Sequence, residues 1–388
     1  MSNAPVTDID PAVFAADPYP TLAWMRANAP ITYVPQLNAT LITRRDDVHV
    51  QEKRVEVFSS EQPDGLMTRL MGQNMMRKDG DAHMSERKAL FPVVSPRTVQ
   101  THWKPIFLAA AERIVADLLP RGACDLVRDF AMPVSAEALK EITGLTGMTA
   151  EEMDGASQGM IDGCANYTGN PEVEARCHAA TGLIDARIDA RCAEVEATPD
   201  LSALSVQLAA GLPMDSVRAN IKLLISGGQN EPRDVIAGAL WALLTHPDQL
   251  ALVQSGTVGF DSVFAEYARW ISPIGMSPRE VARRDTVNGV TFEPGDRVFL
   301  MFGSSCRDEA HFDAPDRFDL TRDTQASIPF GAGPHFCAGA AVAKCLISEV
   351  AMPLALTRFP NLRLTGPAQF TGWAFRGPTA VPVAWDPA

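Results

Sequence analysis

A chain of 388 residues, 46% of them hydrophobic, is long enough to bury a large core, and its formal charge of −13 argues against nucleic acid as a partner. Its 7 cysteines form no Cys-x-x-Cys pair, which argues against a zinc site or a disulfide framework and for a reducing compartment. The stretch Met1 to Asp8 has neither a basic patch nor an apolar run, so the reading includes no signal peptide, no membrane anchor and a cytoplasmic location. With no internal repeat, low-complexity run or obvious linker, residues 1–388 read as one continuous domain.

In chain order, Asp17-Pro18 ahead of Tyr19-Pro20-Thr21-Leu22 predicts a helix start, with a capping acid and early prolines. Ile31-Thr32-Tyr33-Val34 and Thr40-Leu41-Ile42-Thr43 predict a hairpin. From there to about Leu252 the apolar period is mostly helical. Within it, Gly65 to Met76 carries Met67, Met71, Met75 and Met76, flexible side chains that mould to irregular apolar partners; a Met-rich core segment is the ordinary alternative. His83 and Arg87 are four apart and share a helix face that can hold carboxylates. Glu151 to Ala193 is rich in small and charged residues at helical spacing.

The helix from about Met214 to Thr245 contains Gly227, Gly228 and Pro232, which cost roughly 1 kcal/mol per Gly and about 3 kcal/mol for Pro relative to Ala. Two explanations stand: close approach of a flat ligand with a local break in the hydrogen-bond ladder, or two helices meeting at the glycines. Glu266 and Arg269 sit three apart in an amphipathic helix flanked by Phe264 and Trp270, and Arg317 follows later. Val287 to Phe302 alternates around Asn288-Gly289 and Pro294-Gly295, a second β region, and Gly372 to Trp385 reads as turns and short strands.

The stretch Phe330-Gly331-Ala332-Gly333-Pro334-His335-Phe336-Cys337-Ala338-Gly339 predicts a tight loop that presents a cysteine ahead of a helix, where backbone N–H groups and the helix dipole favour a thiolate. A buried structural cysteine is the ordinary alternative. Phe330, Gly333, His335, Cys337 and Gly339 nevertheless fall at the spacing of a haem-binding signature, and the chain resembles the cytochrome P-450 family of haem-thiolate monooxygenases, in its soluble bacterial form.

That resemblance implies a mainly α fold with small β sheets, the P-450 fold. It implies haem b with Cys337 as the iron ligand, and Phe330, Gly331, Gly333, His335, Gly339 and Gly227 as haem contacts. His83, Arg87 and Arg279 are then implied as propionate partners. Met67, Leu70, Met71, Met75, Leu223, Gly227, Gly228, Ile274 and Phe375 are implied to line the substrate pocket, under a lid formed by Glu151 to Ala193. Glu266, Arg269 and Arg317 are implied to form a structural triad. Where the family carries an acid followed by an alcohol for proton delivery, this chain has Asn230 and Glu231 as the catalytic pair.

The Asn230-Glu231-Pro232 variant, with Gly372 to Thr379, resembles more weakly the bacterial subgroup that demethylates methoxylated phenols such as guaiacol. The implied partners are a small aromatic or apolar substrate, dioxygen, and NAD(P)H acting through a ferredoxin/reductase-type electron donor that docks at Lys88 and Lys344. The implied state is a monomer without a membrane partner. Hydrogen peroxide as the oxidant, with Glu231 as acid/base, is a second reading, and a non-catalytic haem-thiolate sensor or recruitment domain a third.

Overall fold

Alternation of side chains explains the first strands. Ile31–Val34 and Ala39–Ile42 pair antiparallel, Ile31 opposite Ile42 and Val34 opposite Ala39, and successive residues face opposite sides. Ile31 and Ile42 enter one apolar cluster with Val298 and Leu300, while Val34, Ala39 and Leu41 enter another with Phe299. All of Ala39–Ile42 is buried because both faces of the sheet are covered. The computed structural model, which describes residues 2–386 apart from 168, completes this five-stranded sheet with Arg297–Leu300, Ser277–Val281 and Phe58–Ser59. Asn288 (φ 49°) and Gly289 (φ 83°) both take the left-handed region between Asp285–Val287 and Val290–Phe292, as a two-residue hairpin turn requires.

The sheet lies in the first of two units into which the chain divides, Met1–Glu61, Gly238–Cys337 and Pro367–Val381; the second is Gln62–Ala237, Ala338–Gly366 and Pro382–Ala388. Each unit is assembled from separate segments of the chain.

In the first unit, the helix Phe260–Ile271 buries a charged pair. Arg269 donates Nε to Glu266 Oε2 at 2.7 Å and Nη2 to Oε1 at 2.8 Å, with the side chains 0% and 1% exposed. The remaining guanidinium donors reach the carbonyls of Cys306, Pro315 and Arg317. The triad expected with Arg317 needs correction. Arg317 contributes its backbone, and its side chain is exposed beside Asp319. The second cation on Glu266 is Arg322, whose Nε lies 3.3 Å from Oε1. The chain turns between the two arginines, and only the later one is directed back at the carboxylate.

A buried pair stripped of one member leaves an uncompensated charge. Glu266→Gln is therefore expected to cost about 3–5 kcal/mol in urea unfolding, and Arg317→Ala less than about 0.5 kcal/mol.

The second unit is mostly helical. Thr149 and Glu152 form a reciprocal capping box at the start of Ala150–Cys164. That helix packs closely on Pro171–Ala197: a Cβ on Gly163 would lie 2.6 Å from Cys177 Sγ, and one on Gly159 3.2 Å from Ala180 Cβ. Gly159 and Gly163 therefore serve helix contact, whereas Gly155 and Gly182 face open space. Ala340–Arg358 is the one helix among the described residues long and apolar enough to cross a membrane, yet half of it is buried in the protein, as in a core helix. Pro382–Ala384 pairs with Ala123–Asp125 and Arg363–Leu364, giving the C-terminal segment its short strands.

Candidate active site

The Cys loop is shaped by two left-handed glycines, Gly331 (φ 75°) and Gly333 (φ 69°). A Cβ on Gly331 would lie 2.9 Å from Glu52 Oε2, and one on Gly333 would lie 3.0 Å from Lys53, so the backbone passes where a side chain would not fit. Cys337 N donates to Phe330 O at 3.0 Å and closes the loop. The Phe330 ring packs 5.7 Å from Phe264 and 6.5 Å from Phe336, anchoring the loop to Phe260–Ile271. Cys337 is the exposed cysteine. Cys177, Cys306 and Cys345 are buried, and Cys124, Cys164 and Cys192 are half-buried. Burial pushes the Cys124 and Cys164 thiols up to about 12 and Cys345 to about 11, and raises Cys177, Cys192 and Cys306 as well. Those six are held as neutral thiols, the form that does not bind metal.

In the second unit, the helix Met214–Gly228 breaks at Gln229 and resumes as Asn230–Thr245. Pro232 lacks the N–H that would bond Gly228 O. Ser135 Oγ supplies a donor instead, 3.4 Å from Gly228 O and 2.9 Å from Gln229 O, and Ser157 Oγ donates to Ile225 O at 3.0 Å. The helix boundary offered by the sequence is found here, and the hydrogen-bond ladder breaks at it. The two glycines differ. Gly227 is exposed, with nothing within 4 Å of an added Cβ, whereas Gly228 packs 3.1 Å from Leu139 Cδ1. Open space is therefore kept at Gly227, and the placement of Gly228 on the pocket wall is corrected to helix packing.

Asn230 and Glu231 separate in the same way. Asn230 Nδ2 donates to Gln158 Oε1 at 3.1 Å, and Gln158 Nε2 in turn donates to Asp162. Glu231 is half-buried, but both of its carboxyl oxygens are covered and have no hydrogen-bond partner. Burial pushes its carboxyl up to about 7, outweighing the lowering influence of its own backbone amide and of Arg233.

Below the ordinary value of 4.5 the acid is neutral folded or unfolded; between 4.5 and about 7 the unfolded chain ionises while the folded chain keeps its proton, so stability falls, and above about 7 both are ionised and no more is lost. The span corresponds to at most about 3 kcal/mol. Unfolding of the wild type relative to Glu231→Gln is expected to lose that stability between about pH 4.5 and 7 and to stay level above.

The remaining expected residues fall into groups. Met71 and Met75 are buried, Met71 accepting the Cys164 thiol at 3.5 Å and Met75 N donating to Asn220 Oδ1 at 2.7 Å. Leu70 lies 3.2 Å from a Cβ placed on Gly163. These three follow the core alternative, while Met67 and Leu223 are half-buried. His83 is buried, with Nδ1 2.8 Å from Met75 O, and Arg87 is half-buried.

In the first unit, Ile274 and Phe375 are bridge partners and both half-buried. Gly275 N donates to Ala374 O at 2.8 Å and Arg376 N to Pro273 O at 2.8 Å, so the two segments are laced together. A Cβ on Gly275 would lie 1.9 Å from Trp373 O. Gly275→Ala is expected to part these segments, costing about 1–3 kcal/mol in thermal unfolding and weakening substrate-induced spectral shifts. Arg279 is buried on Glu52, Ser277 and Pro278. Sequence reading missed Glu52, Ser135, Gln158 and Arg322. All four are polar residues whose partners are distant in sequence.

The family model for cytochrome P-450 matches residues 260–363, which hold the Glu266–Arg269 helix, the Arg279 strand and the Cys loop. The chain is 28% identical to cytochrome P-450 107B1 of Saccharopolyspora erythraea over 95% of each chain, and 28% identical to 6-deoxyerythronolide B hydroxylase of the same organism over 98% of this chain and 99% of that one. By these matches the chain resembles the cytochrome P-450 family along its whole length. A solved P-450, P450BioI with an acyl carrier protein carrying hexadec-9Z-enoic acid, superposes with a TM-score of 0.88 at 22% identity, covering 96% of this chain and 100% of that one, and so shares the fold.

The protein is a P-450 monooxygenase, and the family's cofactor is haem b, reduced from NAD(P)H through redox partners. The residues present fit that group. An exposed thiol stands on a glycine-shaped loop while the six other thiols are held neutral. In the second unit, taken by itself, Gly227 leaves a bare helix face and both Glu231 carboxyl oxygens are covered without a hydrogen-bond partner.

Proposed function

We propose that this P-450 oxidises small apolar aromatics and, on methoxylated ones, performs O-demethylation, with Glu231 delivering protons. The observation that carries the reading is the Glu231 carboxyl, covered, without a partner and poised at about 7. A general acid works best when its pKa lies near the working pH. Asn230 is an amide that donates to Gln158, so it orients the start of the helix and has no titratable proton to deliver. Cys337 would hold the iron, with Phe330, Gly331, Gly333, His335 and Gly339 around it and His83 and Arg87 as donors to its carboxylates. Bound haem supplies dioxygen activation and oxidation of an unactivated carbon–hydrogen bond.

The chain's own residues supply the rest. Gly227 leaves room on its helix. Ile274 and Phe375 offer a laced apolar wall suited to an aromatic ring, and Leu223 and Met67 add apolar surface. For a methoxy group, one carbon–hydrogen bond becomes carbon–hydroxyl, and the hemiacetal separates into phenol and formaldehyde. The second oxygen atom leaves as water, using two electrons from NAD(P)H. Lys88 and Lys344, both exposed, offer cationic positions to an acidic ferredoxin-type donor. We read 1–388 as one catalytic domain, monomeric and cytoplasmic.

The absence of the acid–alcohol pair favours a second reading, in which hydrogen peroxide is the oxidant and Glu231 moves its proton. Formaldehyde release from a panel of methoxylated phenols and benzoates, driven by NADH with a ferredoxin and reductase or by peroxide, separates them. Release with NADH alone supports the first reading and release with peroxide alone the second. Spectral binding without product from either oxidant would sink both.

A further inference from the structure

Glu52 follows the helix Arg45–Gln51 and is 1% exposed. Its Oε1 accepts from Arg279 Nη2 at 2.6 Å, and its Oε2 accepts from Ala332 N, in the Cys loop, at 3.3 Å. Oε2 also occupies the space a Gly331 side chain would need. Arg279 is 2% exposed; its Nη1 donates to Ser277 Oγ at 2.6 Å and Pro278 O at 2.9 Å, and its Nε is buried without a hydrogen-bond partner. One carboxylate thus ties the strand Ser277–Val281 to the backbone five residues before Cys337. A buried ion pair adds little net stability compared with apolar packing, because desolvation offsets the attraction. What it does provide is a fixed geometry.

We propose that Glu52 is a positioning residue for Cys337: paired with Arg279, it holds the Ala332 amide and so sets the loop that presents the thiol. Arg279 is then committed to the Cys loop through Glu52, and its charge is offset within the protein, instead of being kept whole for a haem carboxylate. The proposal rests on Cys337 as the iron ligand.

Glu52→Gln keeps the shape and one acceptor but removes the charge. The haem-loaded variant is compared with the wild type and with Glu56→Gln, an exposed acid. The readouts are the thiolate-type red-shifted Soret band of the reduced carbon-monoxide complex, its decay with time, and the haem reduction potential. The expected result is decay about tenfold faster than in the wild type, the scale seen when a residue supporting a metal ligand is lost, together with an upward shift in potential. The double variant Glu52→Gln/Arg279→Gln leaves no unpaired buried charge, so it tests the link if the single variant folds poorly; it is expected to show the same rapid decay. A wild-type band, decay and potential in both variants, with only unfolding changed, would overturn the proposal. Absence of the band in the wild type itself would overturn the ligand assignment and this proposal with it, an outcome separated from the first because it appears before any substitution.

Discussion

Replacing Cys337 with Ser is expected to abolish the thiolate-type Soret band of the reduced carbon-monoxide complex and to lower NAD(P)H-driven turnover by more than about 100-fold, beyond the loss usual for a residue that merely supports a ligand. The reason is chemical. A thiolate pushes electron density to the iron and favours oxygen–oxygen cleavage, and a neutral hydroxyl does not. Cys345 provides the contrast. It is buried and its thiol is pushed up to about 11, so Cys345→Ser is expected to keep the band and affect stability alone. If Cys345→Ser lost the band while Cys337→Ser kept it, the assignment of the ligand would be reversed.

The second large effect is expected at Glu231. Glu231→Gln keeps the volume and removes the transferable proton, and general acid catalysis by a positioned side chain is worth roughly 100-fold or more. NAD(P)H-driven product should fall by about that factor, and the ratio of peroxide-driven to NAD(P)H-driven product should change with it. Asn230→Ala should have a smaller effect on turnover, because Asn230 is spent on Gln158. Equal losses at the two positions, measured as product formed per NAD(P)H consumed, would return the proton role to the pair. Asp234 is also pushed up by burial, to about 6, but Arg233 lies against it, whereas nothing pairs with the Glu231 oxygens.

Local patterns in the chain carried far. The hairpin at Ile31–Val34 and Ala39–Ile42, the Asn288-Gly289 turn, the Glu266–Arg269 pair and the cysteine loop are all short-range features, written in alternation, turn chemistry and helical spacing. What stayed hidden depended on long-range placement. Arg317 and Arg322 are alike as letters, and only the path of the chain decides which reaches Glu266. Gly227 and Gly228 are adjacent, yet one faces open space and the other Leu139, a difference of rotation about the helix axis that no spacing reveals. Met71 and Met75 illustrate a residue type whose adaptability suits a pocket and a core equally, and the structure packs them inside. Glu52 lies 227 positions from Arg279, so nothing local marks it as a partner of the Cys loop.

The measurement that reaches the central claim most directly is the pH dependence of NAD(P)H-driven turnover in the wild type and Glu231→Gln. The protonated carboxyl is the donor, so the account predicts wild-type activity that falls as pH rises through about 7 and a Glu231→Gln profile in which that inflection is gone. An inflection that survives unchanged in Glu231→Gln would contradict the account and place the proton source elsewhere.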